Sequence, residues 1–300
     1  MLGGAERIGA KVLAIGPGET QRQLTLMQLA KSSVLCATPS YCLYMLEAAR
    51  VAGLAGSSAS LRLGLFGGEP GAGIPEVKRL IEEGWGMQAI DFGNSAEVHP
   101  CSNMECAERS GMHVWNDIVY TEVVAREEPN RAMPIGSRGA LVYTALWRRS
   151  QPMIRYWVGD ETLMVDEPCK CGRSYPRMPH GVLGRLDDLL IIRGVNVYPS
   201  AIEQALRDVP GIGVEYRILV QKKAGSIVDV RIKAECEPTV ATRPETFASI
   251  AAAAEARLRA VTGVRISVEL IEAGRHPRTA LKARRVVELE SSNSPGEDNL

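Results

Sequence analysis

The period of apolar and polar positions changes twice along the chain. Over residues 1–93, short apolar runs alternate with stretches of helical spacing. KVLAIG, SSVLCATP, LRLGLFGG and MQAIDF read as strands. RQLTLMQLAK, YCLYMLEAAR and IPEVKRLIEEG read as helices, the last with Pro75 near its start and Gly84 at its end. Such alternation implies βα units and a parallel sheet.

Residues 112–165 change period. HVWNDIVYTEVV, GALVYTALW and MIRYWVGDETLMV are rich in β-branched and aromatic residues and predict a β-rich subdomain. From residue 188 the two periods mix. DLLIIRG reads as a strand, and PSAIEQALRD as a helix with Ser200 and Glu203 spaced as a capping box. A hairpin is expected around Ala224-Gly225, followed by a helix with Phe247, Ile250, Leu258 and Val261 on one face. VRISVELI is the last strand expected, and the polar end of the chain, residues 288–300, reads as a disordered tail.

Composition narrows the class. The 300 residues suggest about two domains, and 45% hydrophobic residues suffice for a real core. Lysine plus arginine equal aspartate plus glutamate at 35 each, which argues against a nucleic-acid binder or a polybasic membrane binder. No apolar run approaches the ~20 residues needed to span a bilayer. The start, MLGGAERIGAK, lacks the apolar centre of a signal peptide, so a cytoplasmic protein is expected.

Seven cysteines, an odd number unevenly spread, favour ligands or buried thiols over disulfides. Cys106 and His113 in CAERSGMH, with Cys169 and Cys171 in PCKCGR, make a Cys₃His set of the kind that holds tetrahedral zinc. His99, Cys101 and His180 are spare candidates. Free cytosolic thiols beside a surface histidine are the plain alternative. Cys36, Cys42 and Cys236 lie in apolar contexts and read as core.

Several stretches, in order from about Gly3 to about Val287, resemble one family. They are SYCLYMLEAAR preceded by Ala37-Thr38-Pro39, then LFGGEP, IRYWVGD, GRLDDLLIIRGVNVYPSAIE and HPRTALKARRV. Together they resemble the phenylacetate–CoA ligases of the adenylate-forming superfamily. The resemblance implies an α/β fold. A truncated large domain, 1–184, would combine a parallel βα part with a β-rich subdomain at about 94–183. A hinge at 185–190 and a small mobile α+β domain at 191–287 would follow.

The implied reaction has two halves. A carboxylate, with phenylacetate as the default, attacks the α-phosphate of ATP to give an acyl-adenylate. Coenzyme A then takes the acyl group and expels AMP. By resemblance Asp160 accepts the ribose hydroxyls, as a carboxylate with two acceptor oxygens can, and Arg185 helps hold ribose or phosphate. Asp187 is the hinge residue, and Lys282 is the catalytic cation placed where charge builds in the transition state. Gly67, Gly68 and Glu69 form the loop along the adenine and acyl pocket, Gly194 faces the coenzyme A channel, and the Cys₃His set holds a structural Zn²⁺. Without the family, Asp187 and Lys282 read as solvated charges, and Gly67-Gly68 as an ordinary turn. Tyr41 and Phe66 read as pocket lining or as core.

Two departures stand out. The family's aromatic-Gly-x-Ser/Thr-Glu motif falls on DFGNSAEVHP. Aligning Phe92-Gly93 leaves Ala96 where the magnesium-binding glutamate belongs, while aligning Glu97 displaces the aromatic. Glu97 is taken as the Mg²⁺ ligand and Phe92 as the adenine contact. The family's Ser/Thr/Gly-rich phosphate loop has no counterpart in the 300 residues, so roughly the first third of the family's length is expected to be absent. Two readings result. One is an ATP-dependent aryl-acid–CoA ligase, a homodimer by family expectation. The other is a fragment or subunit that binds nucleotide or completes a ligase in trans. A thiol-redox protein rests on CKC alone.

Overall fold

A computed structural model describes residues 2–16, 19–54, 60–223, 226–240, 242–277 and 285–289. They fall into two units, Met1–Asp187 and Asp188–Leu300.

The first unit opens with helices α1 (Leu2–Arg7) and α2 (Thr20–Leu29). It continues as β1 (Val34–Ala37), α3 (Pro39–Val51), β2 (Leu63–Phe66), α4 (Pro75–Trp85) and β3 (Gln88–Ser95). Local chemistry sets the helix ends. Pro39 and Pro75 occupy the first turns, where a missing N–H costs nothing. The Thr38 hydroxyl accepts from the Tyr41 N–H. Gly86, at φ 67°, caps α4 in the left-handed conformation, so the helix runs one residue past the expected stop at Gly84 and ends at Trp85. Gly84 instead faces Leu46 of α3. A Cβ there would lie 2.0 Å from Leu46 Cδ2, and the Trp85 indole donates to the Cys42 carbonyl across the same helix pair.

Strands β1, β2 and β3 are parallel neighbours. The sheet then changes sense within β3. Gln88–Asp91 pair with β2, whereas Phe92, Gly93 and Ser95 pair antiparallel with β4 (His99–Glu105). The sheet continues antiparallel through β5 (Met112–Val114) to β9 (Arg177–Met178), in the order β1-β2-β3-β4-β5-β9. A second, antiparallel sheet has the order β10-β8-β7-β6, built from β6 (Val119–Val124), β7 (Gly139–Ala145), β8 (Tyr156–Thr162) and β10 (Gly184–Arg185). Met112, Val114 and Met178 from the first sheet share one core with Val119, Leu141 and Tyr143 from the second.

The second unit comprises β11 (Leu190–Ile192), β12 (Val195–Val197), α5 (Pro199–Arg207), β13 (Ile212–Lys223), β14 (Ser226–Cys236), α6 (Pro244–Thr262), β15 (Ser267–Ile271) and β16 (Val286–Leu289). Its four-stranded sheet has the order β15-β14-β13-β16. Ile202, Leu206, Tyr216, Ile218, Ile232 and Leu258 are among its buried core, and Phe247, Ile250 and Val261 pack on it as the helical spacing predicts. No helix among the described residues is long and apolar enough to cross a membrane.

Several expectations are corrected. KVLAIG is not a strand: residues 11–16 carry no strand pairing, and Val12 and Leu13 are exposed. Composition alone does not supply a ladder partner. Cys36 is exposed rather than core, because β1 is an edge strand; Cys42 and Cys236 are buried. Tyr41 and Phe66 are buried core side chains. The Ser200–Glu203 capping box does not form. Pro199 takes the first turn, Tyr198 is the N-cap but its side chain makes no capping hydrogen bond, and Glu203 pairs with Arg207. VRISVELI is not the last strand, since β16 follows it and pairs parallel with β13. The tail expected from residue 288 therefore begins inside a strand. Residues 290–300 and the Ala224-Gly225 turn lie outside the described residues.

Gly111 sits at φ 99°, and a Cβ there would meet the Met178 carbonyl oxygen and Pro179 Cα at 2.4 Å. Backbone cannot yield as a side-chain tip can. Gly111→Ala is expected to destabilise the first unit by about 2–4 kcal/mol, read as a lowered denaturant midpoint for that unit. An unchanged midpoint would contradict this packing.

Candidate active site and metal centre

Three groups of the expected residues come together in the first unit. The first lies at the carboxyl ends of β2 and β3, where open α/β sheets present their ligand crevice. Gly67 lies against β3: a Cβ on it would fall 2.6 Å from the Phe92 carbonyl oxygen and 2.9 Å from the Phe92 ring. Phe92 is itself buried. Gly68, at φ 90°, turns the loop, and the Glu69 carboxylate accepts from the Ser40 N–H at 2.8 Å, in the first turn of α3. Glu97 stands apart on the exposed β3–β4 turn, where it accepts from the Ser95 hydroxyl.

The second group is a row of charges. Arg185 on β10 lies directly opposite Asp160 on β8, with Nη1 3.5 Å from Asp160 Oδ1. Its Nε and Nη2 donate to the two oxygens of Asp187, both at 2.9 Å. This two-point hydrogen bond holds the Asp187 carboxyl below the usual range. Gly159, at φ 85°, leaves room for the guanidinium over its backbone, where a Cβ would meet Arg185 Nη2 at 3.1 Å. Asp187 is also the last residue of the first unit.

The third group is Cys106, His113, Cys169 and Cys171, whose ligand atoms all lie within 4.8 Å of one another. Cys106 Sγ is 3.8 Å from Cys169 Sγ, and Cys171 Sγ is 3.4 Å from His113 Nε2. A tetrahedral ion bound by thiolates at about 2.3 Å spaces its sulfurs about 3.8 Å apart, so the set fits one ion. His113 Nδ1 is 3.4 Å from the Tyr175 carbonyl oxygen, to which it donates when Nε2 faces the sulfurs. The Ser110 hydroxyl, 3.3 Å from Cys169 Sγ, and then the Cys171 N–H favour the Cys169 thiolate and bring its pKa down to about 6. Burial pushes Cys106 the other way. Cys101, His99 and His180 are not in the cluster.

Two expected residues stand elsewhere. Gly194 is in the second unit, where Arg193 and Gly194, at φ 51° and 82°, form the two-residue turn between β11 and β12. Lys282 lies outside the described residues.

The sequence reading missed Asp91. It sits where β3 changes partners, so its N–H has no strand to donate to on that side; the Glu105 carboxylate accepts it at 3.0 Å. Lys78 neutralises Glu105 at 2.5 Å. The Asp91 carboxyl is enclosed by two glycines: Cβ atoms at Gly73 and Gly181 would come within 2.8 and 3.1 Å of its Oδ2. A lone acidic residue ending the apolar run MQAID was the available signal. Burial first, then Glu105, raises its pKa to about 7, against the pull of Lys78.

Comparisons with known proteins bear on the fold and the family. Residues 194–290 match the AMP-binding enzyme C-terminal domain. A crystal structure of 2-hydroxyisobutyryl-CoA ligase, in the postadenylation state with R3-HIB-AMP, superposes with a TM-score of 0.90 at 39% identity, covering 96% of this chain and 61% of that one. The fold is thus that of the adenylate-forming CoA ligases. The chain is 34% identical to the phenylacetate–coenzyme A ligase of Thermus thermophilus, over 96% of its own length and 67% of that protein. It is 32% identical to the enzyme of the same name from Escherichia coli, over 96% and 65%. The chain belongs to the phenylacetate–coenzyme A ligase family, and it spans about two thirds of the length of these relatives.

A carboxyl whose pKa is higher folded than unfolded stabilises the fold below its unfolded value and loses that contribution as pH rises through the folded one. For Asp91 the window runs from about pH 4 to about pH 7. Asp91→Asn is therefore expected to gain melting temperature relative to wild type as pH is raised from 4.5 to 8. Parallel curves would contradict the assignment.

Proposed function

We propose that this chain carries ATP-dependent acid–CoA ligase chemistry, with an aryl or arylacetic acid as substrate and an acyl-adenylate as intermediate. The observation that carries the reading is the Asp160–Arg185–Asp187 row. It places an acceptor-only carboxylate beside a fixed cation, a pairing suited to a nucleotide's ribose and phosphate. The solved relative captured with R3-HIB-AMP supports the intermediate.

Asp160 would accept the ribose hydroxyls, and Arg185 would meet the sugar or phosphate from a side chain that Asp187 holds in place. Gly67, Gly68 and Phe92 would flank the base, and Lys282 would offset the charge developing between the carboxylate and the α-phosphate. Glu97 would hold Mg²⁺, which supplies charge neutralisation on the phosphates when bound. Asp187, at the division between the units, would be the hinge, and Gly194 would serve the coenzyme A half-reaction. Cys106, His113, Cys169 and Cys171 would hold a structural Zn²⁺, since four protein ligands leave no open position. A homodimer in the cytoplasm, with phenylacetate as the acid, is the family's default.

The test is phenylacetate-dependent ATP–pyrophosphate exchange in the presence of Mg²⁺. Wild type is expected to exchange, and Lys282→Ala to lose about 10²-fold or more. None by wild type would contradict the reading of this chain as an adenylating enzyme, and equal exchange by both would contradict the role given to Lys282.

A further inference from the structure

The two sheets of the first unit are joined by a buried polar contact that no step above uses. Asn103 on β4 and Tyr143 on β7 are both buried, and Asn103 Nδ2 donates to the Tyr143 hydroxyl at 2.7 Å. The same amide nitrogen donates to Ser102 Oγ at 3.1 Å, and Ser102 in turn donates to the Gly93 carbonyl at 3.4 Å. Gly93 pairs with Asn103 across the β3–β4 ladder. A Cβ on Gly93 would lie 2.1 Å from Asn103 Oδ1, so the glycine after Phe92 leaves the space that this amide fills. On the other side, β7 is paired with β8, which carries Asp160. Burial and then the Asp160 charge push the Tyr143 phenol up, so the hydroxyl lies within the field of that carboxylate.

The contact therefore runs from the β3–β4 hairpin, with Phe92 and Gly93, to the sheet that presents Asp160. Met112, Val114, Val119, Leu141 and Met178, which share this core, are apolar and shape-filling. A hydrogen bond is directional, and inside a core it fixes a separation that packing alone leaves adjustable.

We propose that Asn103 and Tyr143 are positioning residues for the nucleotide: their hydrogen bond sets the span between the base-contacting hairpin and the ribose-contacting carboxylate. The proposal rests on the reading of Asp160 as the ribose acceptor. Neither side chain touches the nucleotide; both act through Asp160.

The experiment measures dissociation constants for ATP and for 2′,3′-dideoxy-ATP, with Mg²⁺ and no acid, on the whole chain. Wild type, Tyr143→Phe, Asn103→Ser, the double variant and Asp160→Ala are compared. Tyr143→Phe and Asn103→Ser are each expected to weaken ATP about tenfold and to leave dideoxy-ATP unchanged. The double variant is expected to be no worse than either single one. Should one variant fail to fold, the other removes the same bond. Equal weakening of both nucleotides would show a merely structural contact and overturn the proposal, as would unchanged ATP binding. If Asp160→Ala abolishes the preference for ATP while Tyr143→Phe keeps it, the proposal alone fails. If wild type does not distinguish the two nucleotides, or binds neither, the Asp160 reading fails and the proposal with it.

Discussion

Three sulfurs and an imidazole nitrogen converge within 4.8 Å, and much of the first unit's site depends on that convergence. Between Thr162 and Gly184 the chain has one regular element, the two-residue strand β9. Such a stretch buries too little to order itself against the conformational entropy of about 1–2 kcal/mol per residue that ordering costs. Cys169 and Cys171 bring it to Cys106 and His113 beside the β4–β5 hairpin. Arg177 then pairs with His113, and its side chain donates to the Ser110 carbonyl. From there the chain enters β10, where Arg185 meets Asp160. The proposed zinc site would thus act at a distance on the proposed nucleotide site, by fixing the strand that delivers its cation.

The second unit is ordered without such a tie. Tyr216 is fully buried between two guanidinium groups, those of Arg285 at 4.4 Å and Arg207 at 5.5 Å from its ring centre. Arg285 is paired with Glu215 at 2.7 Å, and Arg207 donates to the Gly213 and Val214 carbonyls. Apart from Arg207 Nε, the donors named here meet acceptors, which offsets much of the desolvation of these buried charges. An apolar core closed by β13–β16 and the two helices does the rest. The division between Asp187 and Asp188 separates these two modes of stabilisation.

What could be read from the sequence depended on whether one segment carried the whole signal. Helices α4 and α6 and strands β2, β13 and β14 were legible because each buries one face, which period records, and β3 because it is a short apolar run. The Cys₃His cluster was legible because cysteine and histidine have few other uses in such a pattern. Features that depend on a distant neighbour were not. KVLAIG has strand composition but no strand pairing. Cys36 lies in an apolar run, yet β1 is an edge. Gly84 resembles a helix stop, but its lack of a side chain serves contact with Leu46, 38 residues upstream. Asp91 shows in MQAIDF as a lone acidic residue, but nothing local there announces the change of partners within β3 that sets its surroundings. The Asn103–Tyr143 bond joins residues 40 apart in sequence.

The measurement that bears most directly on the metal tie is hydrogen–deuterium exchange of the intact chain, with and without a strong zinc chelator. Chelation is expected to strip protection from residues 105–114 and 165–185 and to leave residues 188–277 as they were. Unchanged exchange throughout, or a loss spread evenly over both units, would contradict the claim that a bound ion orders the segment leading to Arg185.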